Sequence, residues 1–198
     1  MKGKAEQTTQ FIISTVAPIF NRSGYYGTSM SDITKATGLT KGAIYGNFKN
    51  KEDLAFAAFK HNVDLVVDRI KSELIQIDSP VDQLRALLNF YRRYRAYTLE
   101  IGGCPILNIG VDANHQNSEL LAKVQEVVKK SQNYIRKMIE LGQASKEIKS
   151  EIDPEQYAKR IFALIEGAIF MAVTMNDDSY VNDMMNHADR LLDEELIN

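Results

Sequence analysis

Apolar residues recur along this chain at three- and four-residue spacing, and no stretch reads as a strand. A first helix is predicted from about Gln7 to Ser23, with Phe11, Ile12, Val16, Ile19 and Phe20 facing inward. Pro18 removes a hydrogen bond there and is expected to kink the helix near its last turn. From Lys51 to about Ile77, Leu54, Ala58, Val63, Val66 and Ile70 outline one long helix. Asp78-Ser79-Pro80 breaks it, with Ser79 as N-cap and Pro80 at the favoured first position. The next helix runs to about Thr98 through Leu84, Leu87, Leu88, Tyr91 and Tyr94. Gly102-Gly103-Cys104-Pro105 opens a short helix ending near Ala113. Asn117-Ser118 starts a long one through Leu121, Val124, Val128, Ile135 and Met138. Asp153-Pro154-Glu155 and Asp177-Asp178-Ser179 start the last two. The pattern predicts an all-α protein of about nine helices, three in a head over residues 1–50 and six in a body over 51–198. The long fourth helix joins head and body, so motion in one is expected to reach the other.

The stretch from Thr28 to Lys51, TSMSDITKATGLTKGAIYGNFKNK, carries the most specific information. Ser31 is a candidate N-cap, with Asp32 in the first turn, where the helix dipole favours negative charge. Ile33 and Ala36 are expected on the buried face. Gly38 is a natural C-terminal stop, Leu39 fills the space between two helices, and Thr40 caps the second. In that second helix Ile44 and Phe48 point inward, and a mid-helix Gly46 suggests close approach of another surface. This is a helix-turn-helix, whose second helix lies in the major groove of DNA.

The run from Gly24 to Phe59 resembles the N-terminal domain of TetR-family transcriptional regulators. The resemblance rests on Gly24 and Tyr25 after helix 1, Thr28 before helix 2, the pair Tyr45 and Phe48, and Lys51-Glu52 opening helix 4. It covers about a quarter of the chain and implies an all-α fold: a three-helix DNA-binding head and a helical ligand-binding and dimerisation body. It also implies backbone phosphate contacts at Thr28, Ser29, Tyr45 and Lys51, residue types whose hydroxyl, phenol and ammonium groups suit the task. Base readout falls to Thr40, Lys41, Gly42, Ala43 and Asn47. Lysine donates to guanine, asparagine pairs with adenine, and an alanine methyl touches thymine. The two glycines offer no side chain, so this helix reads few letters.

Composition sharpens the picture at three points. The 198 residues suffice for a sizeable core, and no apolar run approaches a membrane span. A single cysteine excludes an intrachain disulfide, which fits a reducing cytoplasm. The net charge of -2 hides an asymmetry. Residues 1–60, including Lys2, hold eight basic and four acidic residues, while the remainder holds 16 basic and 22 acidic. A basic head on an acidic body suits a protein that meets phosphates at one end.

Other constellations are less specific. Cys104 sits at a helix N-cap, where the positive helix end lowers a thiol pKa; it reads either as a sensor of electrophiles or oxidants or as a small buried hydrophobe. Tyr91, Tyr94, Cys104, Phe162 and Phe170 are candidates to line a ligand pocket, or are core. Arg92, Arg93 and Arg95 read as a solvated helix face rather than an anion site. His61, His115 and His187 lack metal-ligand spacing, and no catalytic or cofactor motif is present, so neither enzymatic activity nor a bound cofactor or metal is expected. Ile161, Ile165, Ala168, Ile169, Met184, Ala188 and Leu192 form apolar stripes on the last two helices and are the expected dimer interface. The resulting expectation is a homodimeric, ligand-responsive repressor of a palindromic double-stranded operator. The alternatives are an architectural or cell-division DNA-binding protein on the same fold, or a repressor switched at Cys104.

Overall fold

The structure, a computed structural model, describes residues 3–198; Lys2, counted in the basic head, lies outside them. The described residues form ten α-helices and no sheet. They are α1 (Lys4–Gly27), α2 (Met30–Thr37), α3 (Lys41–Tyr45), α4 (Lys51–Leu74), α5 (Pro80–Arg92), α6 (Tyr94–Thr98), α7 (Pro105–Ala113), α8 (Ser118–Ala144), α9 (Pro154–Met175) and α10 (Ser179–Leu191). A turn of π-helix over Leu192–Leu196 follows α10. The extra helix arises because the stretch expected to run unbroken to Thr98 is interrupted at Arg93 (φ -107, ψ 4), which caps α5.

Two compact units emerge, and they cut the sequence differently from a head at 1–50 and a body at 51–198. One holds residues up to Val67 together with Thr98–Gln125; the other holds Asp68–Tyr97 and Glu126–Asn198. In the first, Ile12, Val16, Phe20, Ile33, Ile44, Phe48, Leu54 and Ala58 form the core that joins α1 to α4. Helix α7 belongs to this unit and packs along α1. Phe11, expected inside, is 48% exposed, because it lies one residue off the stripe of Ile12, Val16 and Phe20.

Helix α1 is longer than predicted, and Pro18 does not interrupt it. The non-helical residue is Gly24 (φ 75, ψ 171), a conformation that a side chain would resist. Gly102 makes a second close approach. With φ 86, a methyl group there would lie 2.7 Å from the Pro18 carbonyl oxygen, so only glycine lets the Thr98–Cys104 loop seat against α1.

In the second unit α9 packs on α10, and α10 on α5, around Leu84, Leu88, Phe90, Met138, Ile161, Ile165, Met185 and Leu192. The arginines read as a solvated face are instead paired. Arg92 meets Asp189 at 2.5 Å, Arg95 meets Asp178 at 2.9 Å and Arg93 meets Glu73 at 2.7 Å. Arg85 adds a pair with Asp193 at 2.5 Å. Three of these four cross from the α5–α6 segment to α10 and its π-turn; being partly exposed, each contributes little alone but helps set the register of the packed helices.

The expected dimer stripe is corrected here. Ile161, Ile165, Ala168, Ile169, Ala188 and Leu192 are all buried within a single chain, and Met184 is half-buried. Apart from Met184, they are covered before any second copy arrives, and their apolar spacing reports packing of α10 on α9 and α5.

Candidate nucleic-acid interface

Helices α2 and α3 are short, and their ends are held by caps. Ser29, not Ser31, is the N-cap of α2: its hydroxyl accepts from the Asp32 N–H, and the Asp32 carboxylate accepts from the Ser29 N–H at 2.8 Å. This reciprocal box needs an acid three residues after the cap, a partner that Ser29 has and Ser31 lacks. The Ser29 hydroxyl and N–H hold the Asp32 carboxyl below its usual range. Gly38 takes the left-handed conformation (φ 69, ψ 7) and its N–H donates to the Thr34 carbonyl, closing α2. Thr40 caps α3, accepting from the Ala43 N–H at 3.2 Å. Ile33 and Thr37 form the buried face of α2, while Ala36 is exposed. Gly46 caps the end of the five-residue α3 rather than sitting inside it, so it carries no mid-helix cost, and a methyl there would meet only ordinary contacts.

This frame presents one outward surface. Thr40, Lys41, Gly42, Ala43 and Tyr45 are exposed, while Ile44 and Phe48 anchor α3 from below. The side-chain polar groups of Lys41 and Tyr45 make no hydrogen bond among the described residues.

Three of the expected contact residues are engaged within the chain. Thr28 is only 1% exposed, and its hydroxyl donates inward to the Gly24 carbonyl at 2.7 Å, so it organises the corner before α2 and offers nothing outward. The Asn47 amide is spent internally: its Nδ2 donates to the Ala43 carbonyl at 2.9 Å and its Oδ1 accepts from the Thr9 hydroxyl at 2.7 Å. These two bonds fix the orientation of the amide, leaving one N–H and one lone pair of Asn47 unused. Lys51 donates through Nζ to the Tyr25 carbonyl at 2.5 Å and lies 4.3 Å from the centre of the Tyr25 ring. Burial lowers its pKa, and the carboxylates of Asp112 and Asp32 oppose that shift. Lys51 therefore fixes the corner at Tyr25. Sequence spacing cannot reveal the Thr9–Asn47 and Tyr25–Lys51 contacts, because their partners lie on another helix.

Four of the five pocket candidates, Tyr91, Tyr94, Phe162 and Phe170, lie in the second unit. Tyr91 and Tyr94 pack against each other and around Phe90, with ring centres 5.2 to 5.9 Å apart. Phe162 is buried in the same unit. Phe170, on the outer side of α9, is 47% exposed, and Cys104 belongs to the other compact unit. Cys104 does stand at the N-cap of α7 ahead of Pro105, but its thiol makes no capping bond and the residue is 2% exposed. Its thiol is expected to react with iodoacetamide far more slowly in the folded protein than in urea; equal rates would make it an accessible sensor.

Similarity to known proteins carries the same interpretation. Residues 12–58 match the family described as bacterial regulatory proteins, tetR family, and residues 80–188 match the tetracyclin repressor-like C-terminal domain. The chain belongs to the TetR family. Its fold matches a TetR-family transcriptional regulator from Cytophaga hutchinsonii with a TM-score of 0.92, at 31% identity over 100% of this chain and 99% of that one. A TetR transcriptional regulator from Chloroflexus aurantiacus gives a TM-score of 0.92 at 34% identity, over 98% of each chain. In sequence, the chain is 26% identical to a fatty acid metabolism regulator protein of Bacillus subtilis over 181 residues, 91% of this chain and 90% of that one. TetR-family proteins are DNA-binding transcriptional regulators, generally ligand-responsive, and not enzymes. Among the described residues no helix is long and apolar enough to cross a membrane.

Proposed function

We propose that this TetR-family protein is a repressor that binds a palindromic operator as a homodimer and is released from it by a small molecule. The observation that carries the reading is the outward face of α3. Two capped short helices hold Lys41, Ala43 and Tyr45 in the open, on a rigid base of Ile44 and Phe48. With Asn47 engaged internally, direct base contact narrows to Lys41 and Ala43, Thr40 standing at the edge. Tyr45, exposed and with its phenol unbonded among the described residues, is the phosphate donor of this reading; the Ser29 hydroxyl and N–H are already given to Asp32. So few readable side chains give one head little specificity, which is why two copies reading two half-sites are needed.

The second copy has a surface to use. On α9, Ala163, Gly167, Phe170 and Thr174 are exposed and lie opposite the buried stripe. On α10, Tyr180, Met184 and Leu191 are half-buried on one side, with exposed His187 between them. Both rows repeat at four, three and four residues, the spacing of one helix face. A methyl group at Gly167 would meet nothing within 4 Å, so its backbone is open to close approach by a neighbouring helix. Two helices from each copy would make a four-helix interface.

Selection of duplexes from a randomised pool tests the reading. The expected product is a palindrome with half-sites about one helical turn apart, bound by two chains. Lys41→Ala should relax the preference at one position per half-site by about 1–3 kcal/mol. Tyr45→Ala should weaken all duplexes alike. Enrichment of no sequence, with binding to any DNA, would instead mark an architectural protein.

A further inference from the structure

The turn at Gly24 interrupts α1, and α7 completes it. In an unbroken helix the Tyr25 N–H would donate to the Asn21 carbonyl four residues earlier. Here the backbone swings out at Gly24, and both groups are served by side chains of α7. Asp112 Oδ2 accepts from the Tyr25 N–H at 2.7 Å. Asn108 Nδ2 donates to the Asn21 carbonyl at 3.0 Å. Asn108 and Asp112 are four residues apart and so share one face of α7. The fit at the turn is close: a methyl group on Gly24 would lie 2.5 Å from Asp112 Oδ1 and 2.7 Å from its Cγ. The corner beyond depends on the same turn. The Gly24 carbonyl accepts from Thr28, and the Tyr25 carbonyl accepts from Lys51. Thr28 leads directly into the Ser29 cap of α2.

We propose that Asn108 and Asp112 are positioning residues that hold this turn open in the DNA-binding arrangement, and that α7 governs DNA affinity by supplying or withdrawing them. With both withdrawn, the Tyr25 N–H and the Asn21 carbonyl are left without these partners. They then bond each other, and α1 runs on through Gly24. The Thr28–Ser29 corner rotates with it, and α2 and α3 lose their placement. A charge-assisted bond of this kind is strong enough to bias two arrangements of one turn. Gly24 suits such a device because glycine alone takes both backbone conformations cheaply. The inference rests on the reading of the head as an operator binder.

The test uses the full-length protein and the duplex that the wild type selects from a randomised pool. Asp112→Ala is expected to weaken binding about tenfold or more, and Asn108→Ala with Asp112→Ala more still. The salt slope should stay unchanged, since the phosphates contacted are the same once the head is seated. Gly24→Ala separates a switch from a mere brace. Alanine is barred from the open turn but favoured in a continuous helix. The variant should therefore lose DNA binding while keeping its helicity and melting temperature, and should add little to the loss in the Asn108→Ala, Asp112→Ala background. Gly24→Ala that binds normally, or that melts early with lost helicity, overturns the proposal, as does wild-type affinity in the α7 double variant. A wild type that selects no duplex would sink the operator reading instead, which keeps the two failures apart.

Discussion

Ile165→Asp should unfold the second compact unit rather than yield a soluble monomer. Ile165 is 0% exposed, at the centre of the face that α9 turns towards its own chain. The change removes a buried hydrocarbon and leaves a carboxylate with no basic partner among Ile161, Ala168 and Ile169. Large-to-small truncation alone costs about 2–5 kcal/mol, and the stranded polar group adds to it. Set against a typical domain stability of about 5–15 kcal/mol, the variant should be mostly unfolded or insoluble. Ile165→Val, which keeps the site apolar, should lower stability by only about 1 kcal/mol. Urea denaturation of the pair measures both. A folded, monomeric Ile165→Asp protein would mean that this face is covered by a partner after all.

The misassignment of that stripe shows what an apolar pattern conveys. Periodicity at Ile161, Ile165, Ala168 and Ile169 announces that one side of α9 is covered, and it was right about that. It does not say by what. The outer side, Ala163, Gly167, Phe170 and Thr174, is weaker in hydrophobicity because small residues and a threonine dilute it. Its legible mark is the near-absence of charge: between Ile161 and Met175 the only ionisable side chain is Glu166.

Legibility in the head divides along the same line between local and distant causes. Gly38, Thr40, Ile33, Ile44 and Phe48 are placed where their immediate neighbours dictate, because caps, left-handed stops and four-residue spacing are properties of a few adjacent residues. Even the misplaced cap was readable: Ser29 has its acid three residues on, and Ser31 does not. Thr28, Asn47 and Lys51 have internal partners that are less legible, for a different reason. Their polar groups answer to Gly24, Thr9 and Tyr25, and only the folded chain brings Thr9 to Asn47 or Lys51 to Tyr25. Pro18 shows the converse. Its missing N–H was visible, yet the break came six residues later at Gly24, where α7 supplies replacement partners.

Phe170→Asp should have the opposite phenotype to Ile165→Asp. Phe170 is 47% exposed in the single chain, so a carboxylate there stays hydrated and the fold loses little. In a dimer built on the outer face of α9, the same residue lies beside Gly167, where two helices approach most closely. Two copies of the variant would bring like charges together in a desolvated interface, with no lysine or arginine between Ile161 and Met175 to offset them. The expected product is a folded monomer with wild-type helicity, visible by sedimentation. Its head is intact, so it should still bind one half-site weakly. What it loses is the second half-site held at high effective concentration, and affinity for the full palindrome should fall by about a hundred- to ten-thousandfold. If Phe170→Asp sediments as a dimer with unchanged operator affinity, the two copies meet elsewhere.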